Sequence, residues 1–123
     1  MNETRFDCEQ SQQGIAAGAG VATISMTVPA GERWLVISAS AVHNDALGPN
    51  CYWVITRGGA ARQLNDPAAL AANVRTHLYT ASPTRDSYIL RAGDVLSVVA
   101  AAMGGAANWT MQALYEVRRG ETT

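Results

Sequence analysis

The residues of this chain that could act as acid, base or nucleophile gather around one histidine. Three candidate partners lie close to His43 in the sequence: Ser40, Asp45 and Cys51. A catalytic triad needs a nucleophile, a base and a group that orients the base, but the sequence has no Gly-x-Ser-x-Gly turn to expose a nucleophile. The second histidine, His77, lies in a separate segment. We therefore predict a protein that is not an enzyme. A small hydrolase or isomerase stays an alternative, and it requires a pocket that joins His43 or His77 to an acid.

Metal-ligand patterns are sparse as well. The two histidines are too far apart in sequence to form a ligand pair. The loop 43–50 contains oxygen donors that suit Ca²⁺, namely Asn44, Asp45 and Asn50. It lacks the regularly spaced acids of a calcium loop, so the sequence predicts no metal ion and no cofactor.

Two arginines enclose a glycine-containing segment that resembles an anion-binding loop. Arg57 and Arg62 flank Gly-Gly-Ala-Ala, but the Gly-Lys-Ser/Thr ending of a phosphate-binding loop is missing. A hairpin connection is the simpler interpretation. All nine basic residues are arginines, which protein interfaces favour, although genome composition also explains an arginine-only chain. Arg57 and Arg62 are therefore candidate interface residues.

Four aromatic residues offer either a sugar-stacking platform or a core: Trp34, Trp53, Trp109 and Tyr115. Each lies in an apolar, strand-like run, which favours core packing. A carbohydrate-binding module stays an alternative, and it requires exposure of Trp53 and Trp109.

Length and composition limit the possible classes of protein. A chain of 123 residues fits one domain. The net charge of −1 predicts no nucleic-acid partner, and no apolar run approaches the roughly 20 residues of a membrane helix. The polar N-terminus does not resemble a signal peptide, so we expect synthesis in a cytoplasm. Cys51 is predicted to be a buried small hydrophobe, with a Cys8–Cys51 disulfide as the alternative.

The secondary-structure elements that must position these residues are separated by a turn that occurs twice. Ala-Gly-acid stands at 30–32 and again at 92–94, each time between two extended apolar segments. Gly31 and Gly93 are suited to the positive φ of a tight turn. Two such corners, 62 positions apart (93 − 31), predict strands arranged in two similar halves.

Alternation of apolar and polar residues predicts about seven or eight short strands between residues 21 and 119. Residues 66–73 are the exception, because Asp66 and Pro67 suit the start of a short helix. The predicted fold class is all-β: an antiparallel, jelly-roll-like β-sandwich with one short helix.

Two regions are candidates for contacts with other proteins. The strand 34–42 is apolar on both faces, so Leu35 and Ile37 are predicted to contact a neighbouring subunit. Residues 1–20 are polar and then rich in Gly and Ala, which predicts a flexible arm. Phe6 and Ile15 are its candidate anchors, and the alternative is a first strand of the sandwich. Residues 21–119 form the predicted sandwich domain and 120–123 a tail.

The chain resembles small β-sandwich proteins of tailed-bacteriophage virions, such as capsid decoration or cement proteins. The resemblance is carried by the two corners with their flanking strands, residues 28–36 and 89–96. The resemblance implies a homo-oligomer, preferably a trimer, on a capsid lattice. The implied partners are the major capsid protein or another virion protein, with assembly in the host cytoplasm, and neither nucleic acid nor membrane. The same resemblance extends to head–tail or tail accessory proteins, which stay an alternative.

Overall fold

The computed structural model describes residues 2–13, 20–46, 48–79, 88–103 and 108–119. These residues form ten strands, numbered in chain order: β1 (Asn2–Gln13), β2 (Gly20–Thr27), β3 (Glu32–His43), β4 (Asn50–Arg57), β5 (Ala60–Gln63), β6 (Ala68–Ala69), β7 (Arg75–Tyr79), β8 (Tyr88–Arg91), β9 (Val95–Met103) and β10 (Asn108–Arg119). No part of the described chain forms a helix that could cross a membrane.

The strands build two antiparallel sheets that pack face to face. Sheet A has the order β1-β10-β3-β7, with β8 also paired to β3, and sheet B has the order β2-β9-β4-β5, with β6 paired to β4. Early strands pair with late ones, β1 with β10, β2 with β9 and β3 with β8. The chain is thus a long hairpin rolled into a sandwich, and the jelly-roll-like prediction is confirmed.

Both repeated turns are crossings between the sheets. Residues 28–31 lead from β2 to β3, and residues 92–94 lead from β8 to β9. Each turn is closed by a backbone hydrogen bond, Glu32 N–H to Pro29 O (3.2 Å) and Asp94 N–H to Arg91 O (2.9 Å). Gly31 and Gly93 have φ of 82° and 89°, as the third residue of a type II turn requires.

The core lies between the sheets and contains the large aromatic side chains. The rings of Trp34 and Tyr115 stack with centroids 3.8 Å apart, and Trp53 and Trp109 are fully buried. Core packing of all four aromatic residues is confirmed. Along β10 the alternation predicted from the sequence holds, with every second residue from Trp109 onward buried.

Strand β3 changes phase in the middle. Trp34 and Val36 point into the core, but after Ile37 the buried residues are Ala39 and Ala41. The cause is a bulge, since Tyr115 of β10 pairs with Val36 whereas the preceding residue pairs with Ser38. One extra residue moves all later side chains to the opposite face. An unbroken alternation over 34–42 would instead place Ala39 on the outer face and Val42 in the core, which the structure contradicts.

The helix predicted over residues 66–73 is wrong. Ala68–Ala69 instead pairs with β4, with Ala68 opposite Cys51 and Ala69 opposite Asn50. A helix this short is marginal in water, and the segment gains backbone hydrogen bonds from the sheet edge. Asn73 has a left-handed φ of 64°, which ends the segment with a turn.

The N-terminal strand β1 pairs along its length with β10 at the edge of sheet A. This pairing is the arrangement expected if the N-terminal segment is a first strand of the sandwich, which was the alternative to a flexible arm. Residues 14–19 of the predicted arm, including Ile15, and residues 120–123 lie outside the described residues.

Candidate interaction surfaces

A groove of about 720 Å³ opens between the edges of the two sheets. Sheet B contributes the hairpin formed by β4 and β5, and sheet A contributes β8. The floor is apolar, with Ile55, Leu64, Ile89 and Leu90, and the polar lining side chains are Arg57, Arg62 and Gln63. Among the described lining residues there are two arginines and neither Asp nor Glu, and Arg57 is paired with Asp94 outside the lining. The charge offered to a ligand therefore comes mainly from Arg62, beside an apolar floor that suits an extended segment.

One wall of the groove is fixed by an ion pair across the sandwich. The Arg57 guanidinium contacts the carboxylate of Asp94, with Nη2 donating to Oδ2 at 2.6 Å and Nε within 3.1 Å of both oxygens. The same Nη2 also donates to the Ile89 carbonyl oxygen at 3.3 Å. Arg57 therefore joins the end of β4 to both β8 and the second corner.

Asp94 is buried, and its charge is balanced by donors from two directions. Besides Arg57, the backbone N–H of Arg91 donates to Oδ2 at 2.9 Å. The hydrogen bonds from Arg57 are the main reason that the pKa of the Asp94 carboxyl lies below its ordinary value. Arg57 was predicted as an interface residue, but its guanidinium is committed to this contact and only its exposed part is open to a ligand.

Arg62 lies on β5, across the hairpin from Ile55. Its side chain is exposed at the rim of the groove. The hairpin interpretation of residues 57–62 is confirmed, with Gly58 and Gly59 both at positive φ. The structure thus brings Arg57 and Arg62 to the same groove.

The outer face of sheet A carries an apolar patch, defined here as the outer patch: Leu35, Ile37, Ile89 and Leu114. Leu35 of β3 lies directly opposite Ile89 of β8, and Ile89 is 53% exposed. Ile37, the bulged residue, is also exposed. The predicted interface residues Leu35 and Ile37 therefore share one surface, and Ile89 joins it to the groove.

Phe6 lies in β1 opposite Leu114. Its backbone pairing is the only placement that the structure gives for this candidate anchor, and Ile15 lies outside the described residues.

Three arginines stand side by side next to this patch, and we define them as the arginine row. Arg33 of β3 is directly opposite Arg118 of β10 on one side and Arg91 of β8 on the other. A cavity of about 130 Å³ beside the row is lined by Arg33, Trp34, Leu35, Ile89 and Arg118. The sequence alone does not reveal this row, because cross-strand register is not a local property. The symmetry of the corners is the one signal for it, since Arg33 follows Gly31 by two positions and Arg91 precedes Gly93 by two.

His43 is a structural residue of the core. Its Nε2 lies 2.8 Å from the Leu70 carbonyl oxygen, and its Nδ1 accepts the backbone N–H of Asp45 at 2.9 Å. This pattern requires the proton on Nε2. The ring is buried and packs edge-on to Trp109. It therefore holds the 66–74 segment against β3.

The remaining polar candidates are dispersed. Ser40 accepts a hydrogen bond from Arg75 on the outer face, on the side of β3 opposite to His43. Asn44 Oδ1 accepts the N–H of Asn108 at 2.7 Å. Within the described ranges, no three side chains of His, Cys, Asp or Glu lie close enough together to hold a metal ion. Ser40 is thus not brought to His43, whose Nδ1 is occupied by the backbone N–H of Asp45.

Cys51 is free and buried, as the sequence predicted for a small hydrophobe. Its Sγ donates to the Pro49 carbonyl oxygen at 3.4 Å. Burial raises the pKa of the Cys51 thiol to about 11. The thiol is therefore unsuited to act as a nucleophile at neutral pH.

Comparison of the chain with models of protein families finds no match, and comparison with curated proteins finds none either. The interaction surfaces therefore carry the functional argument.

Proposed function

We propose that this protein is a non-enzymatic structural protein of a tailed-bacteriophage virion, a decoration protein that binds the head lattice as a homo-oligomer, preferably a trimer. The observation that carries the proposal is the outer patch. Leu35, Ile37 and Ile89 present apolar surface on neighbouring strands of one sheet face. A contiguous apolar patch of this kind marks a protein contact.

The fold supports this role because hydrogen-bonded turns hold the strands that carry the outer patch. The outer patch lies on β3 and β8, and both strands are tied to the sheet crossings by hydrogen-bonded turns. A partner then meets a preformed surface and orders few side chains on binding. The low charged fraction, 15%, suits a surface that contacts other proteins.

The groove supplies a second contact surface for the lattice. Its apolar floor and exposed Arg62 suit an extended segment that adds a strand to the edge of β5 or β8. An assembly protein of this kind uses one surface for its own copies and another for its host particle. We assign the outer patch to the first and the groove to the second.

The oligomer is tested by sedimentation velocity and native mass spectrometry. The wild type is expected to form trimers at micromolar concentration, and Leu35→Glu and Ile37→Glu to yield monomers, because burial contributes about 25 cal/mol per Å² of apolar surface. Val74→Glu is the matched control, since Val74 is 50% exposed but lies outside the outer patch. A monomeric wild type whose mass is unchanged in these variants contradicts the assignment of the outer patch.

The virion role is tested by expressing the chain together with the genes that flank its own and purifying the particles by density gradient. We expect the protein in the particles in many copies, and we expect particles that lack it to break at lower temperature. An Arg62→Glu variant should stay trimeric and lose attachment. Particles without the protein contradict the virion role, and its location at one vertex only would favour the head–tail alternative.

A further inference from the structure

The edge strand β2 leaves half of its backbone groups without a strand partner. β2 is the last strand of sheet B, and among the described strands it pairs with β9 alone. In an antiparallel pair, the N–H and C=O groups of every second residue point away from the partner strand. Along the 8 residues of β2, these groups form a row of donors and acceptors with which another strand can pair.

Strand β2 also lacks the charges that protect such an edge. Its sequence, Gly-Val-Ala-Thr-Ile-Ser-Met-Thr, contains neither a charged residue nor a proline. The strands at the other sheet edges all carry charge: Arg62 in β5, Arg75 in β7 and both acidic and basic residues in β1. Charged side chains on an edge strand discourage pairing with another protein. Of the strands at the sheet edges, β2 is therefore the best suited to accept a further strand.

The side chains of β2 that point away from the core are uncharged and mostly β-branched. They alternate with buried residues and are Val21, Thr23, Ser25 and Thr27. Val21 is 55% exposed, and no other large apolar side chain in the described strands of sheet B is exposed. Side chains of this type favour a strand with neighbours on both sides.

Two copies of β2 are complementary to each other when they run antiparallel. With a two-fold axis at Ile24, Val21 lies opposite Thr27 of the second copy, and Thr23 lies opposite Ser25. Directly opposite residues share a face of the sheet, so core-facing residues stay on the core side in both copies. A symmetric contact brings equivalent residues together, and the uncharged β2 avoids the repulsion that a charged edge would meet there.

We propose that β2 pairs with β2 of a second copy, antiparallel about Ile24, so that sheet B continues from one copy into the next. The contact goes beyond the proposed function, because it uses sheet B whereas the outer patch lies on sheet A, and it joins assemblies to each other. A strand pair over residues 21–27 is small for an interface, so the contact is weak in solution. Copies held close together in an assembly pair more readily, because their effective concentration is high.

The test uses the Ile37→Glu variant, so that contacts through the outer patch are removed. Sedimentation equilibrium up to millimolar concentration should show monomers in equilibrium with dimers. Amide hydrogen exchange is the second measurement. Amides in residues 21–27 should exchange more slowly as the protein concentration rises, whereas exchange in β9, which is already paired on both sides, should not change.

Two double variants in the same background test the register of the strand pair. Val21→Lys/Thr27→Lys should weaken the dimer by roughly tenfold or more, because each lysine meets a lysine of the second copy. Val21→Lys/Thr27→Glu should dimerise more tightly than that variant, because each lysine then meets a glutamate. Both positions are exposed, so both variants should keep the Tm of their parent. Val74→Lys is the matched control, since Val74 is 50% exposed and lies outside β2.

Several results would overturn the inference: an Ile37→Glu protein that stays monomeric at millimolar concentration, equal dimerisation of the two double variants, or an equal loss in Val74→Lys. Dimers that form without slower exchange in residues 21–27 would assign the contact to another surface. All of these measurements are made without the outer patch, so their failure leaves the trimer and the proposed function unaffected. A wild type that is monomeric at micromolar concentration would contradict the trimer and leave the pairing of β2 unaffected.

Discussion

The backbone of Val28 is hydrogen-bonded to the second corner in both directions. Its N–H donates to the Asp94 carbonyl oxygen at 2.9 Å, and its carbonyl oxygen accepts the N–H of Gly93 at 2.9 Å. The two copies of the repeated turn therefore contact each other, although they lie far apart in sequence. Pairing of β2 with β9 and of β3 with β8 brings them together, because each turn connects the same two sheets at the same end.

Asp94 should be the most sensitive polar residue at this junction. We expect Asp94→Asn to lower the free energy of unfolding by about 1–2 kcal/mol, because the buried amide cannot form the ion pair with Arg57, which is itself partly exposed. Urea denaturation measures the loss. Glu116→Gln is the control, since its long, exposed ion pair should contribute less than about 0.5 kcal/mol. Equal losses in the two variants would contradict the assigned role of Asp94.

The pH dependence of stability has a defined sign at this carboxyl. The folded-state pKa of Asp94 lies below its ordinary value of 3.8, so the unfolded chain takes up the proton first as pH falls. The contribution of Asp94 is therefore complete above about pH 4 and is lost as pH falls through the lower, folded-state pKa. The stability difference between wild type and Asp94→Asn should shrink on acidification from about pH 7 to about pH 2.5. A difference that stays constant over this range would show that the carboxylate charge is not involved.

The two corner glycines are required for their backbone conformation and not for lack of space. A Cβ added at Gly31 or Gly93 meets no atom within 4 Å, yet both residues have strongly positive φ. Gly31→Ala and Gly93→Ala should each lower stability by about 1 kcal/mol, the usual cost of this region for an L-residue. Asparagine visits it more readily, so Gly93→Asn should lose less than Gly93→Ala in thermal unfolding. The opposite order would refute the conformational explanation.

Cys51 should be inert in the folded protein. Its thiol is buried and its pKa is raised to about 11, so about a thousandth of it is thiolate at pH 8. In a Cys8→Ser variant, iodoacetamide should label Cys51 slowly in buffer and completely in denaturant, as followed by intact-protein mass. Rapid labelling in buffer would show that the strand pair around Cys51 opens often.

Removal of the first strand distinguishes the two interpretations of the N-terminus. Because β1 pairs with β10 along its length, deletion of residues 2–14 should lower Tm by several degrees, as expected for about 1 kcal/mol or more. An unchanged Tm combined with loss of attachment to particles would instead identify this segment as a docking arm. The same deletion therefore reports on both outcomes.

The features that were predictable from the sequence are those set by neighbouring residues. The pattern of apolar and polar residues within single segments predicts three of them: the glycine of the repeated turn, the alternation along β10, and the burial of Trp53 and Trp109. The helix prediction for residues 66–73 is wrong because Asp66 and Pro67 favour a helix start only locally. The edge of β4 offers this segment better backbone hydrogen-bond partners. Tertiary pairing overrides a weak local preference of this kind.

The interaction surfaces were only partly predictable for the same reason. Leu35 and Ile37 stand out as apolar residues on the second face of a strand. Ile89 and the arginine row do not, because they become neighbours only through the pairing of β8, β3 and β10. No composition or spacing in a single segment encodes that register.

The bulge at Ile37 divides β3 into two parts whose side chains alternate in opposite phase. Before it, even-numbered residues face the core, and after it odd-numbered residues do. Deleting Ile37 alone would restore one unbroken alternation, in which Trp34 and His43 both still face the core. Shortening β3 by a single codon should therefore be tolerated better at Ile37 than at Ser40, where the loss of one residue would turn His43 to the solvent side.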